Sequence, residues 1–542
     1  MRGRAAGRTH SNLCQPLSAP VICTGALSFA DPAPAHDTVA PMRIGPAILT
    51  RPYRWRLYLL PTLLLLAFWL PGANQGWYRT DTHFYAAISK QAFDQASAAP
   101  DIAHRVEALM LLRAGDQPYM NKPPLAFWIH GLFIWIFGLS LWAARLPSLF
   151  AAIAGVWATV LTTRRLAGWR IAELCGVVLA TSVEFFRYER AISLDLWMTL
   201  LVMAGVAALC GATRTRRVTS AWWIWSGVAW GLALMTKPFV ALFAPVLLSI
   251  WLAWVGRRDL LGRLWLAALV AVIVAAPWHI AAGVHCGEDF WRVYVKEQSL
   301  ERAISAAPGS GDRPVDPPWF YLRIMLQTYW PWLVTLVLGL AALVRGRLRI
   351  GEREGRLLRL SAVWCLGWLL VISLSAGKAP RYATIIYPLL GALSAVWLTQ
   401  SASVAIRHTG RRTLNWLGPV AVAGAIAAAA AGVRVHAPRP EAWDDISRVL
   451  TAREVGGAHV ELLTTPRAHS ISANLVMLGR DWPRVWRGER PADSPDRDML
   501  LMLHPSDEVP SGWGAPIITN AEFVLVGRER TKSEPSAVPS DQ

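Results

Sequence analysis

Apolar runs close to 20 residues recur along most of this chain, and arginine clusters punctuate them. A run of that length crosses a hydrocarbon core of about 30 Å at 1.5 Å per residue. The runs fall at 58–73, 146–163, 171–186, 194–213, 221–236, 238–255, 264–284, 329–344, 358–376, 382–399 and 414–432. A soluble protein has no use for such a series, so the pattern predicts a polytopic α-helical membrane protein.

One further apolar stretch, 124–141, decides the topology. If it crosses the bilayer, the clusters Arg164/Arg165/Arg170, Arg214/Arg216/Arg217, Arg257/Arg258/Arg263, Arg345/Arg347/Arg349/Arg353/Arg356 and Arg407/Arg411/Arg412 fall outside. If it lies in the interface, where Trp128 and Trp135 suit it, every cluster falls inside, as the positive-inside rule demands. The second arrangement predicts about eleven transmembrane helices, a cytoplasmic N-terminus and an extracytoplasmic C-terminus. It also explains the net charge of +18 by topology and the anionic inner leaflet rather than by nucleic acid, which is not expected as a partner.

The same reading divides the chain. Residues 1–41 lack the basic-then-apolar order of a signal peptide and read as a mis-assigned or disordered leader, with Met42 the expected start. A transmembrane domain at 42–432 carries two long outer loops, 74–145 and 285–328. Residues 433–542 lose their hydrophobicity and read as a small α/β domain outside the membrane. Its strand candidates are His459–Leu463, Met499–Leu503 and Phe523–Val526, with a helix near Glu441–Leu450. The six cysteines show no metal-type spacing and predict no disulfide framework. His104, His130 and His279 are scattered, so no metal site and no cofactor are expected.

Among 54 basic residues only six are lysine: Lys90, Lys122, Lys237, Lys296, Lys378 and Lys532. On the eleven-span topology all six lie outside, with Lys122, Lys237 and Lys378 at membrane boundaries. Topology alone predicts cations on the other side; a compact ammonium at headgroup level suits a phosphate or pyrophosphate. Interfacial snorkelling is the competing explanation, strongest for Lys237 and Lys296. Asp81 opens the first outer loop and Asp195 stands at the outer end of the run 194–213. Each could be a helix N-cap, or a carboxylate placed to take a proton from a hydroxyl at the membrane edge.

In order, the residues Asp81-x-x-x-Tyr85-Ala86-x-Ile88-Ser89, Lys122-Pro123-Pro124, Asp195, Met235-Thr236-Lys237, Phe290-Trp291, Arg302, Pro317, Trp319-Phe320-Tyr321, Pro331-Trp332 and Gly377-Lys378-Ala379-Pro380-Arg381-Tyr382 resemble lipid-linked-sugar glycosyltransferases of the GT-C fold. The pattern is similar to that of bacterial aminoarabinose (lipid A) transferases and of the protein O-mannosyltransferase family. The resemblance runs over about residues 55–400. It implies a polyprenyl-phosphate sugar donor, used on the periplasmic face of a bacterial inner membrane by a multi-pass enzyme. The sugar would pass to a lipid or envelope-glycan acceptor, or to Ser or Thr of a protein.

On that resemblance Asp81 is the general base of an inverting transfer and Asp195 orients the sugar or a basic partner. Lys122, Lys237, Arg302, Lys378 and Arg381 hold the donor phosphate, and Tyr85 and Tyr382 shape the cavity. The chain departs from the pattern at Thr82, Phe84, Ala87, Asn121 and Ser299, which changes the neighbours of the base. A transporter or flippase for a lipid-linked substrate is the alternative from another class. It expects charges midway along the spans, whereas here they gather at span ends.

Overall fold

The computed structural model describes residues 55–75, 81–212, 221–237, 240–301, 316–330, 332–346, 350–401, 404–433, 442–455, 459–466, 468–486, 497–511 and 513–528. The leader 1–41, Arg302 and Lys532 lie outside the described residues, as does the side chain of Asp81.

The helices, in order, are α1 (Trp55–Trp69), α2 (Asp81–Ala98), α3 (Ile102–Met110), α4 (Leu125–Phe137), α5 (Leu141–Ala167), α6 (Trp169–Ala180), α7 (Val183–Glu189), α8 (Leu194–Ala212), α9 (Trp222–Leu234), α10 (Phe243–Trp254) and α11 (Leu261–Phe290). They continue with α12 (Trp291–Glu301, wound as a π-helix), α13 (Phe320–Thr328), α14 (Trp332–Val344), α15 (Glu352–Leu374), α16 (Tyr387–Ser401) and α17 (Val404–Ala430). Among the described residues four helices are long and apolar enough to cross a membrane: α5, α8, α11 with its flanking turns, and α15. Consecutive α13 and α14 make a fifth if they form one bent span.

Several expected runs are broken rather than continuous. The run 171–186 splits into α6 and α7, because the hydroxyls of Thr181 and Ser182 bond back to the carbonyls of Val177 and Val178. The run 264–284 is followed to Phe290 only across a kink at Gly287, whose non-helical backbone with φ of 54° glycine adopts readily. The stretch 124–141 yields α4 of 13 residues, about 20 Å long and too short to span alone.

The bundle packs through close backbone approach. On α9, a Cβ at Gly227 would sit 2.4 Å from the carbonyl oxygen of Ala267 on α11, and one at Gly231 would sit 2.6 Å from Val274. This G-x-x-x-G spacing puts both glycines on one face, where lipid gives no hydrophobic drive and helix contact rests on such fit. At the ends of the bundle, buried Arg145 on α5 donates to the carbonyls of Gly72, Ala73 and Gln75 at 3.1, 3.2 and 2.8 Å. These carbonyls belong to the turn that follows α1, where Gly72 also accepts from the Gln75 N–H at 3.2 Å.

Between α3 and α4 a short antiparallel hairpin joins β1 (Arg113–Ala114) to β2 (Gln117–Pro118), an element absent from the expectations for this loop. The C-terminal region holds α18 (Ala442–Val455), α19 (His469–Met477) and strands β3 (His459–Thr464), β4 (Arg484–Val485), β5 (Arg497–Leu503), β6 (Trp513–Thr519) and β7 (Val524–Arg528). They form one sheet in the order β4-β3-β5-β7-β6. β3 runs parallel to β4 and β5, and β7 antiparallel to β5 and β6. Both faces of β5 are buried: Leu500 and Met502 pack with Trp443, while Leu501 and Leu503 pack with Trp513.

Candidate active site

The site begins with the first turn of α8. Ser193, not Asp195, caps this helix: its hydroxyl accepts from the backbone N–H of Leu196 at 3.2 Å. Its own N–H is held by Ser148 Oγ at 3.1 Å. The Asp195 carboxylate is thereby released from capping, although it is buried. Lys237 Nζ donates to one of its oxygens at 2.5 Å, and Arg381 Nε stands 3.6 Å from the other.

Tyr382 completes this cluster. Lys237 Nζ lies 3.9 Å from the centre of its ring, and the Arg381 guanidinium 5.8 Å from it. A carboxylate so enclosed, with a cation at each oxygen, fixes those cations in place.

Two motifs distant in sequence are tied together by backbone. The N–H of Leu125, just past Lys122-Pro123-Pro124, donates to the carbonyl of Met235 at 3.0 Å. The bond brings the two lysine-bearing loops to one wall. Lys122 Nζ in turn donates to Gln298 Oε1 on α12 at 3.1 Å.

These groups surround a cavity of about 260 Å³. Thr82 and Tyr85 of α2 line it, with Lys122, Arg187, Tyr188, Asp195, Lys237, Arg381 and Tyr382. Four cations thus face one described carboxylate. Asp81 opens α2 one residue before Thr82. A second cavity of about 310 Å³ shares Lys122, Lys237 and Tyr382 with the first. Its remaining walls are mostly apolar: Met198, Phe243, Trp368, Val371, Ile372 and Leu374. A cationic chamber and a greasy groove thus lie side by side, with Lys122, Lys237 and Tyr382 in the wall common to both.

Of the residues singled out in sequence, Tyr85, Lys122, Asp195, Lys237, Arg381 and Tyr382 come together here. Lys378 lies in the adjoining segment but turns away, donating to the Ser375 carbonyl at 2.7 Å at the end of α15. Arg187, Tyr188 and Gln298 were missed. For Arg187 the signal was its place in Arg187-Tyr188-Glu189-Arg190, shortly before Asp195. Gln298 neighbours Ser299, one of the noted departures, which also lines the groove. His130 is a structural residue: its ring bonds the Ala144 carbonyl at 2.7 Å and accepts from Trp197 Nε1 at 3.2 Å. Among the described residues no three His, Cys, Asp or Glu side chains gather as a metal site.

Behind α2 stands the C-terminal region. Its helix α19 packs along α2, where Ala87 meets Ala473 and Val476. His83 donates from Nδ1 to Asn474 Oδ1 at 2.7 Å, a buried bond. His469 reaches the Ala114 carbonyl in the hairpin turn at 3.0 Å. Burial holds the His83 ring at a pKa of about 4; the positive charge of Arg145 adds to this, while the Asn474 bond opposes it.

Comparison with known proteins finds the family model described as dolichyl-phosphate-mannose-protein mannosyltransferase matching residues 121–280. Undecaprenyl phosphate-α-4-amino-4-deoxy-L-arabinose arabinosyl transferase 1 of Pseudomonas fluorescens is 30% identical over 66% of this chain. The corresponding transferase of Erwinia tasmaniensis is 30% identical over 71% of it. The chain spans 61% and 64% of the lengths of these two relatives. The crystal structure of ArnT from Cupriavidus metallidurans bound to undecaprenyl phosphate superposes with a TM-score of 0.65 at 16% identity. It covers 88% of this chain and 98% of that one. The resemblance read from the ordered motifs is borne out, and the fold is that of ArnT.

Proposed function

We propose that this chain, built on the ArnT fold, moves a sugar from a polyprenyl-phosphate donor to a hydroxyl of an extracytoplasmic acceptor, with inversion at the anomeric carbon. The observation that carries the reading is the pair of adjacent cavities with Lys122, Lys237 and Tyr382 in their common wall. The cationic chamber suits a sugar phosphate, and the apolar groove that shares Lys122 and Lys237 with it suits a prenyl tail. The relatives named for undecaprenyl-phosphate aminoarabinose transfer support the same donor class and suggest lipid A or another envelope glycolipid as acceptor. The protein O-mannosyl alternative draws on the 121–280 match, a segment carrying Lys122, Asp195 and Lys237 and so the donor half of the site.

In the proposed reaction the acceptor oxygen attacks the anomeric carbon as the bond from that carbon to the phosphate oxygen breaks. Asp81 takes the hydroxyl proton. It begins α2, where the helix dipole favours a charged carboxylate, four residues before the cavity-lining Tyr85. The polyprenyl phosphate leaves with the bonding electrons. Its added charge falls among Lys122, held by Gln298, and Lys237 and Arg381, held by Asp195, cations that therefore need little reorganisation. Asp195 is a positioning residue in this scheme. Arg302 retains its proposed phosphate role, and Lys378 would have to release Ser375 to take one. The catalytic face is assigned to the periplasmic side of a bacterial inner membrane, following the arginine topology.

The test is transfer from a panel of polyprenyl-phosphate sugars to envelope extract by purified protein. Asp81→Asn should lower turnover about 10²–10⁴-fold with donor binding retained. No donor consumption by the wild type, or full activity in Asp81→Asn, would overturn the scheme.

A further inference from the structure

The transfer site occupies one end of the bundle. The helices α10 and α15, which line its apolar groove, join α5 and α11 at their other end to enclose a further polar cavity of about 810 Å³. Its walls carry Arg164, Arg165, Arg257, Arg263, Arg353 and Arg356. These come from three separate junctions: α5–α6, α10–α11 and the start of α15. The one carboxylate among the lining residues, Asp259, is held by Arg257 through two bonds of 3.0 and 3.1 Å.

Membrane orientation accounts for arginines on these loops but not for their convergence on one hollow. The helix dipole accounts for only two of them. Arg164 and Arg165 close the last turn of α5, the favourable end for a cation. Arg263 stands in the first turn of α11, and Arg353 and Arg356 follow the start of α15, the unfavourable end. Glu352 and Glu354 answer the α15 dipole, yet neither lines the cavity. Arg356 Nε is buried and makes no hydrogen bond among the described residues. Cations so arranged repel one another unless an anion sits between them.

The form of the hollow narrows the anion. Trp251, Leu252 and Val255 give it an apolar wall beside the guanidiniums. Trp254 and Trp265, at the end of α10 and the start of α11, are more than half exposed on the outside of the bundle at this level. Exposed tryptophans mark headgroup depth. A guanidinium fork matches phosphate oxygens, and basic hollows between membrane helices take anionic lipid headgroups. The volume lies within the roughly 300–1,000 Å³ typical of small-ligand sites.

We propose that this cavity binds a phosphate ester, namely the headgroup of an anionic phospholipid in the leaflet opposite the transfer site. The lipid would bridge α5, α11 and α15 and neutralise their junctions.

Full-length protein in a neutral maltoside detergent tests this by thermal unfolding, read by tryptophan fluorescence at constant ionic strength. The additives are dihexanoyl phosphatidylglycerol, dihexanoyl phosphatidylcholine and sodium phosphate. Phosphatidylglycerol should raise the midpoint saturably and the other two should not. The Arg263→Gln/Arg353→Gln variant should need about 30-fold more phosphatidylglycerol for half effect, two interfacial charges being lost. Arg170→Gln removes an exposed cation outside the cavity and should stay within about twofold of wild type. Equal stabilisation by phosphatidylcholine, or a double variant that tracks wild type or Arg170→Gln, overturns the proposal. Equal stabilisation by sodium phosphate overturns the lipid assignment in favour of a soluble anion.

Discussion

His83 and Asn474 stand 391 positions apart in the chain and meet through a buried 2.7 Å hydrogen bond. The bond joins α2, which opens with Asp81, to α19 of the C-terminal sheet domain. His83 is expected to be neutral when this contact is formed, since burial holds its pKa at about 4 against 6.5 for a free ring. The sign follows from linkage. Above pH 6.5 the ring is neutral in both states and the contact is undisturbed; as pH falls toward 4 the undocked form gains a proton that the docked form refuses. At pH 5 the docked state should have lost about 2 kcal/mol. His469, facing Asp116 and the Ala114 carbonyl, is also depressed by burial and adds in the same direction. Protection factors of residues 469–477, corrected for the intrinsic base-catalysed exchange rate at each pH, should fall between pH 7 and pH 5 in wild type. In His83→Gln the fall should be smaller; an unchanged pH response would show that the docking does not depend on this ring.

Asp195 holds two cations, and its loss should be felt by both. In Asp195→Asn the Lys237 ammonium keeps its burial but loses its counter-charge, a situation that costs about 3–5 kcal/mol in buried pairs. Transfer should fall at least about 100-fold, chiefly in kcat. Lys237→Arg should also lower transfer, because a planar guanidinium does not reproduce the single short ammonium contact to the Asp195 carboxylate. Steady-state kinetics with a single donor separates kcat from KM. A variant with raised KM and unchanged kcat would show that Asp195 serves binding alone.

The apolar groove should read the tail of the donor. Val371→Trp places a ring in its half-buried wall without touching the cationic chamber. We expect KM for a long-chain polyprenyl donor to rise about tenfold, the cost of about two buried methylenes. A short prenyl donor with the same sugar should be nearly unaffected. Equal effects on both donors would place the tail elsewhere.

The α9–α11 contact should tolerate no added side chain. Gly227→Ala puts a methyl 2.4 Å from the Ala267 carbonyl oxygen, so the helices must separate. Overpacking of this kind costs about 1–3 kcal/mol. Thermal unfolding in detergent should show a lower midpoint for Gly227→Ala. Gly262→Ala, which meets nothing within 4 Å, should leave it unchanged.

The parts of the molecule legible in the sequence are those set by short-range chemistry. The strands at 459–464 and 497–503 and the helix at 442–455 were visible because alternation and capping are local signals. Lys122, Lys237 and Arg381 could be grouped because their motifs sit at the ends of apolar runs, which a bilayer brings to one level. Contacts that depend on how distant elements meet were not legible. Arg145 reads as one more basic residue until Gly72, Ala73 and Gln75 are seen to offer it their carbonyls. The capping role expected of Asp195 passed to Ser193, two residues away, because Ser148 of another helix orients that serine. Likewise α19 carries no long periodic pattern, and its two faces are explained only when Leu475 is seen under the sheet and Ala473 and Val476 against α2.

The order of the C-terminal sheet also fixes when the site can be finished during synthesis. Strand β7 lies between β5 and β6, so the sheet stays open until residue 528 has left the ribosome. At about 5–20 residues per second, α2 waits roughly 20–80 s after its own emergence for Asn474 to arrive. The membrane helices are threaded and oriented in that interval, before the groups at the mouth of the cavity can be clamped. Nascent chains arrested before β7 should therefore carry the full set of inserted helices and yet transfer no sugar. Maturation of the proposed transferase would then wait on residues 497–528, which close the sheet.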